Sequence, residues 1–178
     1  MTARLVMALA AQLVFFAGWG AYLVTSHAGA PVVWLETEPV DPRDLLSGHY
    51  VALRYPISTV PGTGCELGED AGTKMIYVRV QDQGRRLQTA QGEVAIAEPV
   101  ACTAQRPAPG ADERWIAGRL TRRNDLIEYG IERFYVGEDS ALRRARSGSV
   151  VAQVAVGFDM KARIVALVDI VKPAEAPQ

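Results

Sequence analysis

Histidine, cysteine and lysine are scarce in this sequence. Its 178 residues include two histidines and two cysteines, and the lysines are Lys74, Lys161 and Lys172. His27 and His49 are far from Cys65 and Cys102, so the ligands of a structural zinc site are missing and no metal is expected. Triad chemistry would have to rest on His49 alone. There is no glycine-rich phosphate loop, no nucleophile elbow and no Cys–His dyad, so no cofactor is expected and no catalytic residue is assigned. An excess of charge of one sign is missing as well. The net charge of −1 gives no basic footprint for nucleic acid. A hydrophobic content of 49% is not that of a disordered chain, and no internal repeat is visible.

What the sequence does have is one long apolar run. Residues 5–24, LVMALAAQLVFFAGWGAYLV, carry no charge. As a helix they span about 30 Å, the thickness of a bilayer's hydrocarbon core. Trp19 and Tyr22 fall near the outer end, where amphipathic rings favour the interface. A cleaved signal peptide is the competing reading, since AGA at 28–30 has the small-x-small pattern. The run is longer than a signal peptide's apolar core, and Pro31 would follow the scissile bond, so an uncleaved anchor is favoured. Arg4 precedes the run, and no further Arg or Lys occurs before Arg43. The positive-inside rule then predicts a bacterial inner-membrane protein with a cytoplasmic N-terminus and the rest of the chain in the periplasm or outside. Residues 1–30 read as anchor and linker, 31–172 as an exported domain and 173–178 as a flexible tail. An oxidising compartment and an even cysteine count suggest a Cys65–Cys102 disulfide; two separate buried thiols are the alternative.

The exported part reads as mainly β. Strands are expected at 32–36, 49–57, 74–81, 93–97, 114–122 and 126–136, the last with a bend or bulge at Gly130. The pair of apolar runs in 149–170 is the clearest hairpin. DQGRR at 82–86 reads as a turn, 102–113 as a surface loop and 138–146 as a short helix. The expected architecture is an antiparallel barrel or sandwich with one short helix, preceded by a single transmembrane α-helix. In the 49–57 strand, alternation puts Val51, Leu53, Tyr55 and Ile57 on one face and Tyr50, Ala52 and Arg54 on the other.

That strand begins GHYVALRY at residues 48–55, which resembles the naming motif of the GDYXXLXY family of membrane-anchored bacterial proteins. LETEPVDPRDLLSG before it and YGIERFYVGEDSALRRAR after it also resemble the family's blocks. The resemblance covers most of residues 33–170. It implies a short N-terminal membrane helix and an exported β-rich domain, and little about activity. His49 departs from the motif's Asp. A ring nitrogen there can partly imitate an Asp that caps a turn; as a catalytic group it would titrate near 6.5 rather than 3.9.

Function is therefore weighed between two classes. A loose similarity to membrane-anchored Ser-Lys peptidases of the signal-peptidase type suggests an envelope hydrolase or an inactive relative. The dyad needs a neutral lysine, and Ser47 has no evident partner. The favoured class is an accessory module that binds an integral membrane partner through His49, Tyr50, Arg54 and Tyr55, because Tyr and Arg are enriched at interface hot spots. Tyr77 and Arg79 form a similar pair on a second strand.

Overall fold

A computed structural model describes residues 2–25, 29–39, 50–59, 65–66, 75–108, 110, 112–121, 126–135 and 147–171. The expected helix at 138–146, Ser47 and His49 lie outside these. The N-terminal run forms one helix, α1 (Thr2–Thr25). Its side chains at 3–24 are exposed on every side, and Ala3–Val24 is long and apolar enough to cross a membrane.

Ten strands follow. They are β1 (Val32–Glu36), β2 (Tyr50–Ala52), β3 (Cys65–Glu66), β4 (Met75–Thr89), β5 (Gly92–Thr103), β6 (Arg114–Thr121), β7 (Leu126–Glu128), β8 (Arg133–Tyr135), β9 (Val150–Val156) and β10 (Ala162–Asp169). Seven form one path, β10-β9-β1-β5-β4-β6-β7, with β3 added alongside β5; β2 and β8 make a separate two-stranded sheet. The mainly β expectation holds. The large sheet curls as a half-barrel. Its curl brings the β9–β10 turn back to β6, where the Ala117 amide donates to the Met160 carbonyl at 2.7 Å. Pairing is not antiparallel throughout. β1 and β3 each lie parallel to β5, because the chain crosses over before returning to the sheet.

The strand patterns follow burial. β9, VVAQVAV, is buried at every position but Gln153, as its continuous apolar run requires of a strand covered on both faces. In β4, Ile76, Val78 and Val80 enter the core. The expected 49–57 strand is corrected to β2 alone: burial alternates from Val51 through Tyr55, with Ala52 and Arg54 exposed, and Pro56–Ser58 then form a 3-10 turn in which Ile57 and Ser58 are both buried.

The expected turn at 82–86 is corrected to a bulge. β4 runs through it: Asp82 pairs with Ala97 and Arg86 resumes with Ala95. Asp82 Oδ1 accepts the Gly84 amide at 2.8 Å, with Gly84 at φ 91°. This is turn chemistry used inside a strand. The bulge lifts Arg85 to reach Glu36 of β1 at 2.7 Å and Glu98 of β5 at 3.6 Å. Two other boundaries also move. Cys102 and Thr103 belong to β5 rather than to a loop, and the 126–136 strand is broken into β7 and β8 around Gly130 at φ 80°.

Register places Cys65 opposite Cys102, with Cα atoms 4.3 Å apart at disulfide distance. The pair closes a sequence separation of 37 residues. Loop-closure entropy then gives about 4 kcal/mol of stabilisation. Urea unfolding of a Cys65→Ser/Cys102→Ser variant should show a loss of that order; an unchanged midpoint would mean that the bridge constrains nothing.

Candidate functional site

The motif segment is held by a second segment rather than by its sequence neighbours. β2 pairs antiparallel with β8, Tyr50 opposite Tyr135, Val51 opposite Phe134 and Ala52 opposite Arg133. The Leu53 amide then donates to the Glu132 carbonyl at 2.8 Å. Beyond it, two tyrosines lock the segments reciprocally. Tyr55 Oη donates to the Ile131 carbonyl at 2.9 Å, and Tyr129 Oη donates to the Ile57 carbonyl at 2.6 Å. Tyr55 has 0% exposure and Tyr129 is buried. A buried hydroxyl or carbonyl without a partner is costly, so the two bonds satisfy four such groups and fix the register of both segments.

Local chemistry shapes the second segment to receive the first. The Tyr129 amide donates to Glu132 Oε1 at 2.6 Å, closing a tight turn across Gly130, whose positive φ suits glycine. Opposite, Gly118 of β6 leaves room for the Tyr129 ring. A Cβ there would lie 2.9 Å from Tyr129 Cδ1 and collide with Ile127.

The other ends of the motif strand are anchored through the backbone. Arg54 donates its amide to Ser147 Oγ at 3.0 Å, and its carbonyl accepts the Glu38 amide at 2.8 Å. The Arg54 side chain is exposed and reaches Glu38 at 3.9 Å. Such an exposed pair adds little stability.

Directly paired residues share a face, so Tyr50, Ala52, Arg133 and Tyr135 line the outer side of the β2–β8 sheet, and Arg54 continues it. The Tyr50 and Tyr135 rings lie 5.9 Å apart, and the Arg133 guanidinium stands 5.4 Å over the Tyr50 ring. Tyr135 is 72% exposed. A shallow groove runs from Tyr135, Phe134 and Arg133 to Ala162, Arg163 and Ile164 of β10. Neither Arg133 nor Arg163 has an acidic partner among the described residues.

A family model described as GDYXXLXY protein matches residues 12–167. The chain belongs to the GDYXXLXY family. Comparison with curated proteins and with solved structures found no match. Of the motif positions in this GDYXXLXY protein, Leu53 and Tyr55 are core residues. Tyr50 lies on the surface, and His49 lies outside the described residues. Arg133 and Tyr135 complete the surface around Tyr50; their signal was alternation within RFY, but their place opposite Tyr50 required the pairing of two distant segments. The second Tyr/Arg pair is engaged internally. Arg79 bonds Glu113 at 2.9 Å and lies 5.8 Å from the Trp115 ring centroid. The Trp115 indole and then Arg79 hold the Glu113 carboxyl below the usual carboxylate range.

Burial first, and then the Glu132 charge, push the Tyr55 and Tyr129 phenols well above their ordinary value. The folded state thus holds these protons more tightly than the unfolded state. The stability this contributes is complete below about pH 10 and is lost as pH rises above it. Unfolding midpoints measured against pH should fall in that alkaline range, and less steeply for Tyr55→Phe/Tyr129→Phe. Each single Phe variant should lose about 1 kcal/mol at neutral pH. Gly118→Ala should lose about 1–3 kcal/mol by overpacking, measured by the same unfolding assay; a neutral Gly118→Ala would show that the Tyr129 ring is free to shift.

Proposed function

We propose that this chain is a single-pass protein of the bacterial envelope, whose β domain is an accessory binding module for an integral membrane partner. α1 supplies the anchor, uncleaved, in the inner membrane. The placement of Arg4 before it supports a cytoplasmic N-terminus and an exported domain at 31–172. The observation that carries the binding role is the outer face of β2–β8. Tyr50, Arg133 and Tyr135 make an aromatic and cationic surface, the composition that dominates interface hot spots. Tyr55, buried and bonded to Ile131, contributes by fixing that surface rather than by touching a partner. His49 and Ser47, on which an envelope hydrolase would depend, lie outside the described residues.

Gentle solubilisation of native membranes and mass spectrometry of what co-purifies test this role. A stoichiometric membrane protein is expected with the full chain. It should be lost, or bound at least about 30-fold more weakly, by Arg133→Ala/Tyr135→Ala. The variant should keep its unfolding midpoint, since both side chains lie outside the core. Retention of the same partner by that variant would remove this face from the interaction. Intact mass of the membrane-bound species reports separately on cleavage, and full-length chain is expected.

A further inference from the structure

We propose that the tip of the β9–β10 hairpin, residues 157–161, sits in the membrane–water interface beside the anchor, with the Phe158 ring among the lipid chains. This rests on reading α1 as a membrane span.

Chain connectivity brings the tip there. α1 ends at Thr25, and by Pro31 the chain is already bound to the end of β9, where the Val156 amide donates to the Pro31 carbonyl at 3.0 Å. Six residues reach at most about 20 Å. The hairpin tip, which begins at the residue after Val156, is therefore tethered within a short reach of the helix end. Antiparallel pairing of Val32 with Ala155 fixes the start of β1 and the tip of the hairpin at the same end of the sheet.

The tip is built to hold its side chains in place. Met160 adopts φ 62°, an uncommon left-handed conformation for a residue other than glycine. Its carbonyl is held by the Ala117 amide at 2.7 Å and its own amide by the Gly157 carbonyl at 2.9 Å. Gly157 and Lys161 close the turn at 3.0 Å, and Asp159 Oδ1 accepts the Lys161 amide at 3.1 Å. Local strain of this kind persists only where the surroundings over-determine it. The result is that Met160 is buried while Phe158 is 87% exposed, the most exposed large apolar side chain of the described residues. Val32, beside the tip, is also exposed. A groove of about 380 Å³ opens between the tip and the chain leaving the helix, lined by Pro31, Val156, Phe158 and Met160 together with the charged Glu113 and Arg114. The exposed Lys161 ammonium of the same tip pairs with the Asp159 carboxylate at 3.5 Å, a polar pair of the kind that stays at headgroup level while an apolar neighbour goes deeper. A rigidly presented ring at the end of the domain nearest the anchor matches the interfacial placement that aromatic side chains favour.

The test uses the full chain, its native cysteines left paired, in nanodiscs of phosphatidylethanolamine and phosphatidylglycerol. An environment-sensitive fluorophore is attached at Phe158→Cys or, as control, at Asp169→Cys. Asp169 ends the eight-residue β10, about 23 Å along the strand from the tip side. The expected result is blue-shifted emission at 158, quenched by nitroxides on the upper acyl chain, and water-like, unquenched emission at 169. Water-like emission at both positions would overturn the proposal. Blue-shifted emission at 158 without lipid quenching would overturn it too, and would indicate a protein occupant. Carbonate extraction separates the two readings: release of the chain from native membranes removes the anchor and this inference together, while retention with a water-like 158 removes the inference alone.

Discussion

Two phenol hydroxyls tie the small β2–β8 sheet to the rest of the core. Tyr55 donates into the segment that carries Tyr129, and Tyr129 donates into the segment that carries Tyr55. Neither bond can form unless both segments are in register, and each leaves a buried carbonyl orphaned if it is lost. The three-residue ladder of β2 and β8 is too short to stand alone in water. It is held because its inner residues, Val51 and Phe134, pack on the large sheet and because the tyrosines close its open end. Everything on its outer face inherits that fixity. Arg133 stacks over Tyr50 in one geometry because the strands beneath them cannot slip.

This divides the motif between architecture and surface. In GHYVALRY, Leu53 and Tyr55 point inward and are buried, while Tyr50 points outward into the pair with Tyr135. The fixed positions of the motif thus fall on both faces, Leu53 and Tyr55 in the core and Tyr50 on the outer side. The core half explains why the block YGIERFYV accompanies it: Tyr129, Gly130 and Glu132 build the receiving turn, and Arg133 and Tyr135 build the outer face beside Tyr50.

Local chemistry was legible in the sequence to the extent that it was periodic. Alternation gave the buried faces of 51–55 and 75–80, and the apolar runs gave β9 and β10. Turn chemistry was less informative. Asp82 and Gly84 make the same carboxylate-to-amide bond in a bulge as they would in a hairpin turn, and only the partner strand decides whether the chain reverses. Long-range pairings had no local signal. The parallel neighbours of β5, the Glu38 partner of Arg54, and the space Gly118 leaves for Tyr129 all depend on residues brought together by the curl of the sheet. The Cys65–Cys102 pairing was legible because only two cysteines were available to pair.

The same curl gives the domain its polarity. Met160 can hold a left-handed backbone because β6 arrives to bond its carbonyl, and β6 arrives because the sheet closes part-way into a barrel. The chain leaves α1 and enters β1 at this end. The tyrosine-locked β2–β8 face is held by a separate set of bonds, between residues 50–57 and 129–135. A domain built this way carries two kinds of exposed aromatic residue under different constraints. Phe158 is presented by a strained turn whose strand end is bonded to Pro31, six residues after the apolar helix. Tyr50 and Tyr135 are presented by a short sheet braced from the core. No hydrogen bond among the described residues joins the hairpin tip to the β2–β8 pair; the two meet through the side chains that Phe134, Ala162 and Ile164 pack against the common core.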